Sequence, residues 1–449
     1  MILRASEPPI DGNEHKTVDV IVVGAGIAGL VCAIDLVRAG KSVIVFEAEP
    51  EVGGRVRSSR MEACTIDHGF QVMFTAYPTI MSYLDIEALN LRTFRPAAHV
   101  VVNNRVSLIG DALRDPTLLL DAITPGVIPL TDKLRLLALR RCARSLSVDE
   151  CFAPKHTSIS TRTFLSGRGF SPAVIDVFFA PFYGGILLDR TLSSNAGVLL
   201  FTFKMLSDGD SALPARGMRA ISEQLAAQLP ANCIQLEKRV RAVRLQGQRA
   251  HGVTLDDGSE ISAADVVLAT DAPGTASLAA SVGLSLDAGL QCVGSTSLYF
   301  KSTRAPLPGK SLWLNGDVNA VISHAITLTE VAPEYVNDRA LTVATAVGAA
   351  ALLDDAALEE AAMRTLSHFA AVAGLEPTPE LTRVAVWRVP YSQFAQPPGF
   401  RPAPAEISSE IGGLWRASEL MHSSSIEGAA RGGKMAAMAL LGAGAGNNG

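Results

Sequence analysis

Gly24, Gly26 and Gly29 stand at G-x-G-x-x-G spacing, with Ala25, Ile27 and Ala28 between them. Glycines at these offsets suit one task. The first permits a tight turn, the second lets the backbone approach a pyrophosphate, and the third lets a helix pack close to a strand. A helix starting there points unpaired N–H groups and a partial positive charge at the phosphates. Glu47, twenty-three residues after Gly24, places a carboxylate where it can accept hydrogen bonds from a ribose. Alone, the glycine spacing is a weak signal, and its flanks give it force. Residues 18–23 are a β-branched run that reads as a buried parallel strand. Ile27, Leu30, Val31, Ile34 and Val37 recur at helical spacing until Gly40 stops them. Residues 42–46 then read as a second strand ending at Glu47, which completes a βαβ unit.

The segment from Glu47 and Ala48 to Gly53, Gly54 and Arg55 has E-x5-G-G-R spacing. With these residues the sequence resembles the superfamily of flavin amine oxidases and carotenoid desaturases, which also includes protoporphyrinogen oxidase. The resemblance implies FAD. It sets the Gly-Gly-Arg turn against the cofactor and Arg55 beside the pyrophosphate, where a guanidinium fork gives charge-assisted hydrogen bonds. Gly69, Phe70, Gln71 and Val72 resemble the loop that passes over the flavin. Residues 213–218 are similar to a P-x-G-G-M helix entry, with Arg216 replacing its first glycine, and Ile221, Leu225 and Leu229 follow at helical spacing. By the same likeness Val240 meets the adenine, and Thr270 ends a buried strand. Glu419 reaches the ribityl or pyrophosphate, with Ser418 in place of the usual glycine. Ser425, Ile426 and Ala429 begin a helix facing the flavin O2 edge.

The implied architecture is α/β: a Rossmann-type, glutathione-reductase-like FAD-binding domain with a discontinuous α+β substrate-binding domain. The first is expected from 16–100, 211–275 and 405–449, and the second from 101–210 and 276–404. Residues 1–15 and 442–449 read as flexible tails. Aromatic residues gather in the inserts, among them Phe178, Phe179, Phe182, Tyr183, Tyr299, Phe300, Trp313, Trp387 and Tyr391. Individually such residues belong to a core, and as a set they suit an apolar cavity.

At 449 residues the chain has length for about three domain-sized units. With 48% hydrophobic and 18% charged residues it is neither disordered nor a coiled coil. A net charge of −5 without a long basic run makes nucleic acid an unsuitable partner. The six cysteines are scattered without a C-x-x-C pair, which excludes a dithiol centre and suits a reducing, cytoplasmic compartment. The opening residues carry no apolar h-region, and no apolar stretch is long enough to span a bilayer. Residues 116–146 interleave leucines with Lys133, Arg135, Arg140, Arg141 and Arg144. That pattern suits either peripheral contact with a membrane surface or a helix packed on its own domain, and the second reading is favoured.

Several chemistries are absent. The sequence has no second strand-flanked G-x-G-x-x-G, no H-E-x-x-H and no G-x-S-x-G. Electrons are therefore expected to enter from an organic substrate and leave to oxygen or a quinone. Amine oxidases place a Lys where Ser295 or Thr296 stands here, Lys301 being the first Lys nearby, and a cage Tyr where Ser425 stands. No Cys lies there for a covalent flavin link. Residues 75–80 and 424–429, with Gly433 and Lys434, are instead similar to runs of plant-type carotene desaturases. The resemblance thus implies noncovalent FAD and hydride removal from a mainly apolar organic substrate. The alternatives are oxidation of a C–N bond, a non-redox FAD-dependent isomerase, or an escort protein that uses no flavin. No catalytic acid or base is assigned; His68 and Tyr391 are weighed, and both read as structural.

Overall fold

The computed structural model describes residues 18–118, 128–286, 291–408 and 410–446. The expected N-terminal tail lies outside the described residues, as does the middle of the 116–146 stretch. β1 (Val18–Val23) pairs in parallel with β2 (Val43–Phe46) on one side and β3 (Glu260–Leu268) on the other. Parallel neighbours need a crossover, and α1 (Ile27–Arg38) supplies it, burying Leu30, Val31, Ile34 and Leu36 against the sheet. The sheet runs Ile234–Gln235, β2, β1, β3, Arg249–Leu255 and Val240–Gln246, the last two antiparallel. Leu414–Arg416 adds a further parallel strand beside β3, so the first and last parts of the chain meet in one sheet.

The C-terminal helix Ile426–Gly446 packs on α1. Its approach is close: a Cβ on Gly433 would lie 2.3 Å from the carbonyl oxygen of Ala28. The tail expected over 442–449 is corrected for 442–446, because the helix continues through Gly446, and 447–449 lie outside the described residues. Alanine carries helical structure at no side-chain entropy cost, and Ala436, Ala437 and Leu440 anchor this end in the core.

A second, seven-stranded sheet is mixed. Its order is Thr382–Phe394, β4 (Cys292–Ser302), Ala340–Val347, β5 (His324–Thr327), Leu312–Asn315, Ala97–Val102 and Arg105–Gly110. Ala97–Val102 spans position 100 and pairs wholly within this sheet. Helix Asp355–Val372 covers one face with Leu358, Leu366 and Phe369.

Asp67 ties the two parts together. Its carboxylate accepts from Ser58 Oγ at 2.5 Å, the Met218 N–H at 3.0 Å and Tyr335 Oη at 2.8 Å, while Tyr299 Oη donates to its carbonyl at 2.8 Å. Burial pushes this carboxyl above the usual carboxylate range, against the pull of those donors.

α2 (Leu130–Ser145) buries Leu139 and Ala143 and packs on helix Ala196–Asp208. Three of its basic residues pair within the fold, Arg135 with Asp132, Arg140 with Asp111 and Arg144 with Asp208. Leu130, Leu134 and Leu137 stay exposed on the same helix. Among the described residues no helix is long and apolar enough to cross a membrane.

Candidate active site

One cavity of about 670 Å³ extends from the β1–α1 turn to the second sheet. Gly24 has φ +109°, and a Cβ there would meet the carbonyl oxygen of Ala269 at 2.8 Å. A Cβ on Gly29 would fall 2.0 Å from the Gly24 oxygen, so the helix reaches the turn only because both side chains are missing. Gly26 is different. A Cβ on it would meet nothing within 4 Å, and the residue lines the cavity. α1 starts beside it with no side-chain cap and no acid in its first turn. Its first N–H groups have no intrahelical partner, an arrangement that fits an anion. The Gly53 N–H donates to the Ala25 carbonyl at 2.8 Å, holding the Gly-Gly-Arg turn against this wall.

Glu47 is fixed by its neighbours. Oε2 accepts from the Ala25 N–H at 2.8 Å and Oε1 from the Glu49 N–H at 3.0 Å, leaving lone pairs for a hydroxyl partner. Arg55 and Glu419, expected as separate contacts, form a pair. Arg55 Nη2 lies 2.6 and 2.5 Å from the two Glu419 oxygens, and Nη1 donates to the Ser392 carbonyl at 3.1 Å. Burial alone would lower the Arg55 pKa, but the Glu419 carboxylate, together with Tyr391 and Asp271, more than offsets it and the net direction is upward.

Of the cofactor residues read from the sequence, Ala25 and Gly29 lie behind the cavity wall and all the others line it. Some do so in supporting roles. Gln71 Nε2 donates to the carbonyls of Arg55 at 2.7 Å and His68 at 2.9 Å, bracing its own loop. The Phe70 N–H donates to Ser297 Oγ at 3.1 Å. Ser425 Oγ accepts from the Gly428 N–H at 2.9 Å and so caps the C-terminal helix. Thr270 Oγ1 lies 3.0 Å from Thr275 Oγ1.

His68 lines the cavity with its ring stacked on Trp387, centroids 3.8 Å apart, and Nε2 2.8 Å from Ser59 Oγ. Burial, with Arg57 nearby, lowers its pKa to about 4, so the ring is neutral. The Tyr391 ring lies under the Arg55 guanidinium, and its hydroxyl is buried without a partner. Strand alternation separates the two β4 candidates. Ser295 faces the cavity, 2.8 Å from Ser392 Oγ, whereas Thr296 donates to the Ala351 carbonyl on the other side. Lys301 pairs with Glu62. None of the six cysteines lines the cavity, and the described residues hold no metal-ligating cluster.

The inner end is walled by Phe74, Tyr77, Phe182, Leu187, Phe201 and Leu312. Of the aromatic set read from the sequence Phe182 reaches this wall, while Phe179, Tyr183, Tyr299 and Phe300 are buried in the core. One polar residue here went unread in the sequence. His324, on β5, is 2% exposed, and neither ring nitrogen has a hydrogen-bond partner among the described residues. Burial, helped by Arg190, lowers its pKa to about 4. No spacing motif marks it; the only signal is a histidine inside an apolar strand.

The sequence profile of flavin-containing amine oxidoreductases matches residues 27–441. The chain is 31% identical over 169 residues to protoporphyrinogen oxidase 2, chloroplastic/mitochondrial, of Arabidopsis thaliana, covering 37% of this chain and 32% of that protein. It is 28% identical over 257 residues to the putrescine oxidase of Kocuria rosea, covering 51% of this chain and 50% of that one. The match thus spans half or less of these relatives' length. The structure of an oxidoreductase from Methanosarcina mazei superposes with a TM-score of 0.71 at 17% identity, covering 94% of this chain and 99% of that one, and shares the fold.

Proposed function

The chain belongs to the family of flavin-containing amine oxidoreductases, and from that premise we propose that it is an FAD-dependent oxidoreductase removing hydride from a mainly apolar organic substrate. The observation that carries the reading is the union of two environments in one cavity: an uncapped helix start beside Gly26, and an inner chamber walled by aromatic and aliphatic side chains. Gly24, Gly26 and the first turn of α1 would hold the pyrophosphate, Glu47 a ribose, and Val240 the adenine. The Arg55–Glu419 pair would sit between pyrophosphate and ribityl. FAD, when bound, supplies the two-electron acceptor. The chain's own part is to hold the reacting carbon in place and exclude water, and positioning of that kind contributes much of a rate. We take the sheet built on β1 as the cofactor-binding unit and the sheet containing β4 and β5 as the substrate-binding unit.

Two observations favour C–H over C–N oxidation. Ser295, not a lysine, faces the cavity from β4. Among the described residues, the acids lining the cavity, Glu47, Glu49, Asp271 and Glu419, all belong to the β1-sheet part of the chain, so none of them offers an ammonium group in the inner chamber a counter-charge. The absence of a lining cysteine supports noncovalent flavin, and oxygen or a quinone is the proposed acceptor.

The test is anaerobic bleaching of the oxidised flavin band. A polyene or a reduced tetrapyrrole is expected to bleach it, and putrescine to leave it unchanged. Bleaching by putrescine alone would replace this reading with amine oxidation.

A further inference from the structure

The inner chamber holds a polar group that nothing among the described residues satisfies. Both nitrogens of His324 lack partners, although buried side-chain polar atoms are as a rule hydrogen-bonded. The ring forms part of the chamber wall, 5.2 Å from Phe70 between centroids. Gly185 packs against one edge of it, where a Cβ would come within 3.0 Å of Nδ1. Gly185 also lines the cavity.

A neutral imidazole offers one N–H and one lone pair. The local field decides which of these a ligand uses. Arg190 lies close enough to disfavour a second positive charge on the ring. Its Nη2 donates to the carbonyls of Asn315 at 2.9 Å and Asp317 at 2.7 Å, and its Nη1 has no hydrogen-bond partner. Arg190 lies near the ring without lining the chamber, and among the described residues no acid lines this end, so the field there disfavours a cation and favours an atom bearing negative charge.

We propose that His324 is a specificity-determining residue, and that the substrate is an apolar molecule carrying one acceptor oxygen, a carbonyl or a carboxylate, that receives the imidazole N–H. This deepens the reading of the cavity as an apolar-substrate site and rests on it. The discrimination would be large for one contact. A buried group built to hydrogen-bond a ligand rejects the analogue lacking that atom far more strongly than a pocket rejects a missing methylene.

The test titrates the flavin-loaded protein with four probes sharing one apolar skeleton: farnesene, farnesal, farnesoic acid and farnesylamine. Binding is read as perturbation of the visible flavin band. Farnesal or farnesoic acid is expected to bind at least roughly tenfold more tightly than farnesene and farnesylamine, and which of the two leads separates carbonyl from carboxylate. His324→Leu is expected to abolish that advantage without weakening farnesene, whereas His324→Gln, which keeps an N–H donor, retains most of it. Flavin content and melting temperature of each variant control for folding, and the Gln variant remains informative if the Leu variant is unstable. An acceptor advantage that survives His324→Leu, or equal affinity for farnesene and the oxygenated probes, would overturn the proposal and leave the apolar-substrate reading intact. Failure of all four probes to perturb a flavin that putrescine perturbs would overturn the apolar-substrate reading itself.

Discussion

Arg55 and Glu419 hold each other at the cavity wall, so removing either changes both. Arg55→Ala deletes a charge-assisted contact and strands a carboxylate that is 7% exposed. FAD retention should weaken by about 1.5–3 kcal/mol, or ten- to a hundredfold, measured as the flavin-to-protein ratio after dialysis. Unchanged occupancy would mean that Glu419 already consumes the Arg55 charge. His324 and His422 make a second prediction. Burial lowers both from an ordinary 6.5 to about 4, with Arg190 adding to the effect at His324 and Arg431 at His422. The unfolded chain therefore binds protons that the folded chain refuses. Stability should be fully present above pH 6.5, fall as pH drops towards 4, and level off once the folded rings protonate too. Each group accounts for roughly 3 kcal/mol at most. Thermal melts across this window check it, and His324→Gln should shrink the fall. At neutral pH His324→Leu should not lower the melting temperature, because it removes two unpartnered buried nitrogens.

The β1–α1 turn separates glycines that the sequence motif treats alike. Gly26→Ala meets open cavity, and its φ of −74° suits alanine. The flavin-free protein should keep its stability within about 0.5 kcal/mol while flavin retention drops, because the methyl group occupies the space a pyrophosphate needs. Gly29→Ala drives a Cβ to within 2.0 Å of the Gly24 oxygen, and should lower the melting temperature with or without flavin. Paired melts and flavin ratios for the two variants distinguish them. Structure of this kind was legible in the sequence because strand, turn, helix and second strand are contiguous, and each carries its own period. Contacts across long separations were not. Residues 75–80 and 424–429 looked like two independent family runs, yet buried Glu427 accepts from the N–H groups of Thr79 at 2.9 and 3.0 Å and Ile80 at 3.0 Å, more than three hundred residues away. The pair is one structural joint. Its likeness to carotene desaturases therefore reports how the flavin-side sheet is braced and says little about substrate. His324 was illegible for a related reason, since its importance lies in what it fails to touch.

Electron flow is a property of the assembled chain. The sequence has one strand-flanked glycine motif, and the cavity it opens leads on to the apolar chamber. NADH and NADPH should therefore fail to bleach the flavin at a useful rate in anaerobic stopped-flow measurements. Rapid bleaching by NADPH alone would mean that a nicotinamide site exists without its motif, and would favour a reductase or monooxygenase. Sequence and structure divide differently here too. The two-part architecture was readable from family-like runs scattered along the chain. The Asp67 carboxylate that joins Ser58, Met218 and Tyr335 was not, because its partners carry no shared period.

The position of Leu414–Arg416 and the helix after it bears on how the protein is made. Translation delivers the glycine turn long before the rest of the cavity wall contributed by Glu419, Ser425, Ile426 and Ala429. Until then the α1 surface that receives the C-terminal helix has no cover, and β3 lacks its second parallel neighbour. A ribosome-bound chain several hundred residues long therefore carries an exposed apolar surface and an open strand edge, the features that recruit chaperones or lead to aggregation. Retained flavin would then act as a completion signal: a chain stalled or cut before Glu419 stays colourless however well its earlier strands have formed.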